Sequence, residues 1–316
     1  MILNKNLIAK ISNGFGNQMF LYATSYAFSK KMNYNLLLDV KTGINSLKKI
    51  DKKKKFKHYE PKFELNIFKL SANIASDHFC FDDIYGYLKK KIYILLDKFT
   101  QKKRIVNEIK NDLKKTSYSD IYLKNKFHKD VFIDGHFESE KYFNEFRDDL
   151  LNEFTFNKKI TCNKNFLEMI NSSNSVSIAI RRDRYSEFIS DDLDEQKINK
   201  TLKFENLQYD YIKRSINFLK NKIDQPKFFI FSDNFKNLDK IFPKNNDLVF
   251  IDTHILNQTI EDFYLMSQCK HYIVAPTSFH WWAAWLNQNP NKICLRPKDI
   301  NPSNNIDFWP DSWLSI

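Results

Sequence analysis

Charged and hydroxylated residues stand in this sequence directly after short apolar runs. Three strand-like runs, residues 175–181, 227–232 and 271–275, end in or next to such residues. The polar residues at these three ends are Arg181, Arg182, Asp233, Asn234, Thr277 and Ser278. Guanidinium groups match phosphate oxygens in geometry, and a helix that starts at Ser or Thr can present backbone N–H groups to an anion. The pattern favours a phosphate-binding site, and a solvated surface turn is the alternative for the two arginines.

A turn near the N-terminus offers a second place for an anion. Gly14 and Gly16, two of only five glycines in the chain, stand with Asn17 between a strand predicted at residues 8–11 and a helix predicted at 19–32. Glycine permits positive φ angles and lets a ligand approach the backbone closely. The N–H groups of a helix start then point at one spot, which suits an anion. An ordinary strand-to-helix turn is the other interpretation.

The elements that must position these residues alternate between strand and helix. Alternation of this kind predicts a parallel sheet with right-handed crossovers, whose ligands bind outside the carboxyl ends of the strands. The further predicted strands are residues 34–39, 130–135 and 248–251, and the further predicted helices are 87–99, 140–154, 209–222, 259–269 and 279–286. A length of 316 residues suits about two domains, which we place at 1–156, with a helical insertion, and at 157–316.

Composition limits the class of protein. The chain is 42% hydrophobic and has no apolar run of about 18 residues, which argues against a disordered or a membrane-spanning chain. A formal net charge of +12 favours anionic partners, namely nucleic acid, anionic lipid or a phosphorylated small molecule. The N-terminal residues lack a signal-peptide pattern and the four cysteines lack zinc spacing, so we expect a cytoplasmic protein with reduced thiols. The lysine cluster at 52–57 indicates a solvated loop or a contact with an anionic membrane surface.

Four segments carry motifs that occur together in one known family. Residues 14–23 read GFGNQMFLYA, residues 135–143 read GHFESEKYF, and residues 231–234 read FSDN. Residues 262–286 carry D-x-x-L-M-x-x-C-x-H-x-I-x-A and then a tryptophan-rich helix. In this order, from residue 8 to about residue 296, the chain closely resembles the α-1,2-fucosyltransferases, which form glycosyltransferase family 11.

This resemblance implies a fold and a reaction. The fold is α/β and GT-B-like, with two Rossmann-type domains facing a central cleft. The first domain would take the acceptor and the second the nucleotide sugar. The reaction is inverting and metal-independent transfer of L-fucose from GDP-L-fucose to a galactose-type hydroxyl of a bacterial surface glycan. No cofactor, metal or nucleic acid is expected, and peripheral contact with the anionic inner membrane is a further expectation.

The resemblance also implies roles for individual residues. Gly16 and Asn17, beside Gly14, would face the phosphate or sugar of the donor, and Arg181 or Arg182 would hold the diphosphate. Asp262 would accept the guanine N–H groups. The other implied donor contacts are Asp233, Asn234, Thr277, Ser278 and Phe279, of which Thr277 and Ser278 would bind the β-phosphate. The acceptor hydroxyl needs a general base, for which the candidates are Asp183, Glu187 and His280.

The sequence departs from the family in ways that leave alternatives open. The family motif H-x-R-R-x-D has Ala179 in place of the histidine and Arg184 in place of the final aspartate. His280 replaces a serine, so it can be either a packed polar residue or a site residue. A different nucleotide sugar, or an inactive relative, is therefore an alternative. Residues 192–194 (DLD) match the D-x-D metal signature of other glycosyltransferases but lie in a polar stretch. A basic protein that binds RNA or a membrane surface is the non-enzymatic alternative.

Overall fold

The chain folds into two compact units. The computed structural model describes residues 5–56, 59–111, 113–182, 184–185, 195–243, 245–253, 255 and 258–316. Unit 1 comprises Met1–Lys55, Tyr59–Lys158 and Ser303–Pro310. Unit 2 comprises Phe56–His58, Lys159–Pro302 and Asp311–Ile316. Each unit is built on one parallel β-sheet whose strands are connected through helices, which confirms the predicted α/β class.

Unit 1 contains a five-stranded sheet. Its strands are β1 (Asn6–Lys10), β2 (Asn35–Asp39), β3 (Asn73–Ile74), β4 (Lys102–Asn107) and β5 (Lys126–Asp134). Its helices are α1 (Phe15–Met32), α2 (Thr42–Lys53), α3 (Ile84–Phe99), α4 (Ile121–Lys124) and α5 (Arg147–Glu153). The strand order is β3-β2-β1-β5-β4, and all pairs are parallel. Strand β1 is central, so the turn that follows it lies at the middle of the sheet edge.

Unit 2 contains a six-stranded parallel sheet. Its strands are β6 (Asn174–Ile180), β7 (Pro226–Ser232), β8 (Leu248–Phe250), β9 (His271–Ile273), β10 (Cys294–Arg296) and β11 (Leu314–Ser315). Its helices are α6 (Lys164–Ser172), α7 (Glu195–Lys220), α8 (Leu238–Ile241), α9 (Gln258–Gln268) and α10 (Ser278–Leu286). The strand order is β11-β10-β9-β6-β7-β8. Strand β6 therefore lies between β9 and β7.

Strand β6 shows why these residues form a covered sheet. Six consecutive residues, from Ser175 to Ile180, are buried, which is typical of a parallel strand covered on both faces. Val176, Ile178 and Ile180 belong to the main apolar core of unit 2, together with Tyr211 of α7. The small residues that alternate with them make room on the opposite face for helix α10.

The segment 140–154 differs from the prediction of one helix, which was wrong. It consists of two short 3₁₀ turns, Glu140–Tyr142 and Asn144–Phe146, followed by α5. Phe143, whose ring is fully buried, separates the two turns with a non-helical backbone, φ −138° and ψ −2°. Helix α7 begins at Glu195, well before the predicted residue 209.

Three other features bear on the sequence analysis. The four cysteines are buried and free, as expected. The three tryptophans of α10 are packed in the core, with exposed fractions of 2% or less. Within the residues that the structure describes, we find no helix with both the length and the apolar character needed to cross a bilayer.

Candidate functional site

The carboxyl ends of β6, β7 and β9 lie side by side in unit 2. Ile180 pairs with Ser232 of β7, and Ile178 pairs with Ile273 of β9. The residues that follow these strands therefore share one edge of the sheet. This edge carries Arg181, Arg182, Asp233, Asn234, Thr277 and Ser278. Ligands of open parallel sheets bind at such an edge.

Asp233 joins the ends of β6 and β7. Its Oδ2 lies 3.3 Å from Nε of Arg181, and its Oδ1 accepts the backbone N–H of Arg182 at 2.9 Å. The Arg181 side chain keeps 33% of its surface exposed, twice the 17% of Arg182. Arg181 is therefore the more accessible guanidinium at this edge.

Arg182 is instead held inside the protein. Its Nε donates to Oε1 of Glu205 on α7 at 3.1 Å, and its Nη1 donates to the backbone oxygen of Lys236 at 2.5 Å. Burial disfavours the charge of Arg182, but the hydrogen bond that it donates to Glu205 outweighs this effect and raises the pKa of the guanidinium. Because most of its donors are used, Arg182 positions the loop after β7. Glu205 carries no motif and was missed by the sequence analysis.

Helix α10 begins at this edge of unit 2. The Thr277 hydroxyl caps the helix by accepting the backbone N–H of His280 at 3.3 Å. Thr277, Ser278 and Phe279 are half-buried. The ring of Phe279 packs edge-on against Phe263 of α9 at 5.4 Å between centroids. The positive end of a nine-residue helix thus lies at the strand ends.

His280 is a packed core residue, and its geometry contradicts the base role. The ring is fully buried, Nδ1 accepts the backbone N–H of Ala275 at 3.0 Å, and Nε2 lies 2.9 Å from Oγ of Ser177. With Nδ1 accepting, Nε2 carries the proton and donates to the serine. Burial lowers the pKa of His280 to about 3. The lone pair that a general base needs is already occupied, so His280 stabilises the junction of β6 and α10.

Two acidic neighbours on α9 have different surroundings. Asp262 is buried, with 7% of its surface exposed, on the helix that packs against α10. Glu261 is fully buried and accepts the backbone N–H groups of Asn163 and Ile255, each at 2.8 Å. Glu261 therefore anchors the segments around α9.

In unit 1 the glycine turn has its positive φ at an asparagine. Gly14 is the N-cap of α1 with φ −77° and ψ 173°, and the positive φ of this turn, 64°, belongs to Asn13. A Cβ built on Gly14 would come no closer than 3.9 Å to Tyr59. Gly16 and Asn17 lie in the first turn of α1, where Gly16 is buried. None of the glycines, all of which lie among the described residues, has a positive φ, so this turn does not use that freedom of glycine.

The fully buried amide of Gln18 ties a second segment to this turn. Its Nε2 donates to the backbone oxygens of Asn13 and Lys62, both at 2.8 Å, and its Oε1 accepts the N–H of Glu64 at 3.0 Å. The Tyr59 hydroxyl donates to the same Asn13 oxygen at 2.7 Å. Gln18 is part of the opening motif, and these bonds give it a physical role.

Glu64 is the carboxylate that Gln18 holds beside the glycine turn. It is half-buried, and the backbone N–H of Phe15 hydrogen-bonds to it at the start of α1. Burial raises the pKa of Glu64 to about 7, against the opposing effects of Lys62 and the Phe15 N–H. The sequence analysis missed Glu64, because nothing local marks a glutamate that lies 46 positions from its partner Gln18.

Two of the proposed bases cannot be placed. Asp183 and Glu187 lie outside the described residues, as does the D-x-D segment at 192–194. Among the residues that are described, no group of three or more His, Cys, Asp and Glu side chains is arranged to hold a metal ion.

Comparison with known proteins identifies the class of enzyme. Residues 82–304 match the model of Glycosyl transferase family 11. The chain belongs to this family and is a glycosyltransferase.

Two curated relatives match along almost the whole chain. The chain is 28% identical to the alpha-1,2-colitosyltransferase of Escherichia coli, covering 98% of each protein. It is 25% identical to the O-antigen biosynthesis glycosyltransferase WbnK of Escherichia coli, covering 97% of this chain and 99% of that protein. Among solved structures, fucosyltransferase NodZ from Bradyrhizobium is similar, with a TM-score of 0.48, 10% identity and coverage of 89% of this chain and 92% of that one.

Proposed function

We propose that the protein transfers L-fucose from GDP-L-fucose to a galactose-type hydroxyl of a bacterial surface glycan. The transfer inverts the anomeric carbon and uses no metal ion, and the enzyme acts in the cytoplasm. Family membership and the order of the motifs support the reaction class. The observation that carries the proposal is the edge of the unit 2 sheet, where Arg181 and the start of α10 lie at adjacent strand ends.

This edge suits the charge that develops during transfer. The transition state of glycosyl transfer resembles an oxocarbenium ion, and negative charge builds on the departing diphosphate. We assign the diphosphate to Arg181, the more exposed guanidinium, and to the N–H groups at the start of α10. Arg182 and Asp233 support this site by holding Arg181 and the loop after β7. Asp262, on α9, is assigned to the guanine base.

The proton of the acceptor hydroxyl needs a general base, and Asp183 and Glu187, which lie outside the described residues, stay candidates beside Glu64. We assign this role to Glu64, whose carboxyl accepts the backbone N–H of Phe15 at the glycine turn, and we assign this turn to the donor sugar by its family motif. A carboxyl with a pKa of about 7 accepts a proton more readily than an ordinary glutamate near neutral pH. Tyr59 and Gln18 hold the backbone around it.

A second candidate donor is a GDP-linked 3-deoxy sugar. The relative with 28% identity is a colitosyltransferase, and colitose is L-fucose without its 3-hydroxyl group. Both donors would share the diphosphate and base contacts assigned above. They differ in one hydroxyl, so the choice between them rests on the sugar pocket.

Calorimetry and transfer assays test these assignments. We expect GDP to bind and UDP and ADP to bind at least about tenfold more weakly, with Asp262→Asn removing the preference. Arg181→Gln should weaken GDP binding at least about tenfold, since it removes a charge-assisted contact. The matched controls are Asp210→Asn and Arg214→Gln, which change exposed residues of α7.

Three outcomes would contradict the proposal. Equal affinity for all three nucleotides would contradict a GDP-linked donor. Wild-type affinity for GDP in Arg181→Gln would contradict the assignment of Arg181 to the diphosphate. If excess chelator abolishes transfer and a divalent metal restores it, the mechanism depends on a metal ion and the proposal is wrong on this point. Turnover of GDP-L-fucose and GDP-colitose, measured side by side, then decides between the two donor sugars.

A further inference from the structure

Helix α3 of unit 1 exposes an unusual amount of apolar surface. Nine large apolar side chains of this 16-residue helix are exposed, namely Ile84, Tyr85, Tyr87, Leu88, Ile92, Ile94, Leu95, Leu96 and Phe99. The exposed fraction reaches 77% at Ile84, 83% at Tyr85 and 80% at Phe99. Single exposed apolar residues are ordinary, whereas a continuous apolar patch marks an interaction site.

The helical period gathers most of these side chains into one stripe. With 100° between successive residues, one continuous side of the helix carries Ile84, Tyr85, Leu88, Ile92, Leu95, Leu96 and Phe99. We call these seven residues the α3 stripe. The opposite side packs within unit 1: Gly86 and Asp97 are buried, and the Tyr93 ring lies 5.9 Å from that of Phe132. The helix is thus anchored by one side while the stripe faces outward.

The residues that border the α3 stripe are basic. Lys91 and Lys98, seven positions apart on one flank, are both exposed. Asp97 is the one acidic residue of the helix, and it is buried in a salt bridge with Arg104 at 3.1 Å. The start of the lysine-rich helix α2 adjoins the start of α3, because Asn45 donates to Asp82 at 2.7 Å. Two acids precede the helix, Asp82 and the N-cap Asp83, and Asp83 accepts the N–H of Gly86 at 2.6 Å, so the acidic groups lie at the first turn while Lys91 and Lys98 flank the rest of the stripe.

We propose that the α3 stripe lies on an anionic lipid bilayer. The apolar side chains would enter the headgroup boundary by about 5–10 Å, as amphipathic surface helices do, while Lys91 and Lys98 meet lipid phosphates. A second copy of the chain fits less well, because an isologous contact through this stripe places two lysine-bordered surfaces against each other, whereas an anionic bilayer complements their charge. The proposal does not depend on which sugar is transferred.

Co-sedimentation with vesicles tests the proposal. The probes are vesicles of phosphatidylcholine and phosphatidylglycerol in equal parts, and vesicles of phosphatidylcholine alone. Wild type should bind the anionic vesicles, and Leu88→Ser/Ile92→Ser should lower the bound fraction at least about fivefold. The matched control is Ile198→Ser/Leu202→Ser on α7, a pair with the same spacing and comparable exposure of 42% and 51%. This control should bind like wild type.

A charge variant separates a surface effect from misfolding. Lys91→Gln/Lys98→Gln leaves the α3 stripe intact and should still weaken binding to anionic vesicles, more so at low salt. Thermal unfolding of each variant confirms that it is folded. Three results would overturn the proposal: no binding of wild type to anionic vesicles, equal binding by all variants, or a wild-type dimer that the Leu88→Ser/Ile92→Ser variant dissociates.

Discussion

Replacing Glu64 by glutamine should change how stability depends on pH. Burial raises the folded-state pKa of this carboxyl from 4.5 to about 7, so the native state holds a proton that the unfolded state releases between these values. The free energy of unfolding therefore falls as pH rises through this range. At about 1.4 kcal/mol for each tenfold change in proton affinity, the full effect is about 3 kcal/mol. Because Glu64 is only half-buried, solvent screening lowers our expectation to about 2 kcal/mol.

Urea unfolding at several pH values measures this effect. Glu64→Gln, which cannot ionise, should be about as stable as wild type near pH 4.5 and about 2 kcal/mol more stable near pH 8. The control is Glu168→Gln, which replaces an exposed glutamate on α6. The charged groups nearest Glu64 are Lys62 and Glu60, with the Tyr59 phenol beside them. A constant difference between Glu64→Gln and wild type at every pH would refute the perturbed carboxyl.

The same variant tests the catalytic assignment of Glu64 by a separate measurement. In wild type, kcat should rise with pH through about 7, as Glu64 loses its proton. Glu64→Gln should lower kcat by a factor of about 10²–10⁴ and abolish this rise with pH, while the affinity for GDP stays unchanged. Glu64→Gln can change the pH dependence of stability as expected and still leave the pH–rate profile unchanged. That result would support the raised pKa of Glu64 and reject its role as the general base.

Two further substitutions test residues that the structure moves from catalysis to support. Arg182→Met should lower the free energy of unfolding by about 3 kcal/mol, because it leaves the Glu205 carboxylate buried without its ion-pair partner. Adding Glu205→Leu should recover most of this loss, as measured by urea unfolding. Equal stability of Arg182→Met and wild type would contradict the pairing. His280→Ala should lower the free energy of unfolding by about 3 kcal/mol or more, because it opens a cavity and leaves the Ser177 hydroxyl without its partner. The shape of the pH–rate profile should not change. If the variant loses the pH dependence of the rate, His280 acts as a base after all.

Local sequence patterns were enough to predict the regular elements of this protein. Apolar runs such as 175–180 and 227–232 predicted the central strands, because burial on both faces of a parallel sheet requires continuous apolar residues. The alternation of strands and helices then placed Arg181, Asp233 and Thr277 at a common edge. Both inferences need only local patterns and one topological rule. The motifs likewise identified the family, since they follow one another along the chain.

Which side chains remain available for chemistry depends on packing between distant segments of the chain. Arg181 and Arg182 are neighbours in sequence, but Glu205 of another element draws one of them inward and leaves the other more exposed. The buried ring of His280 is hydrogen-bonded to Ser177 of β6, so it is not available as a base. Gln18 holds Glu64 beside the glycine turn, although the two residues are 46 positions apart. The physical reason is common to all of them: solvent exposure and proton affinity depend on groups that meet only when distant segments of the chain pack together.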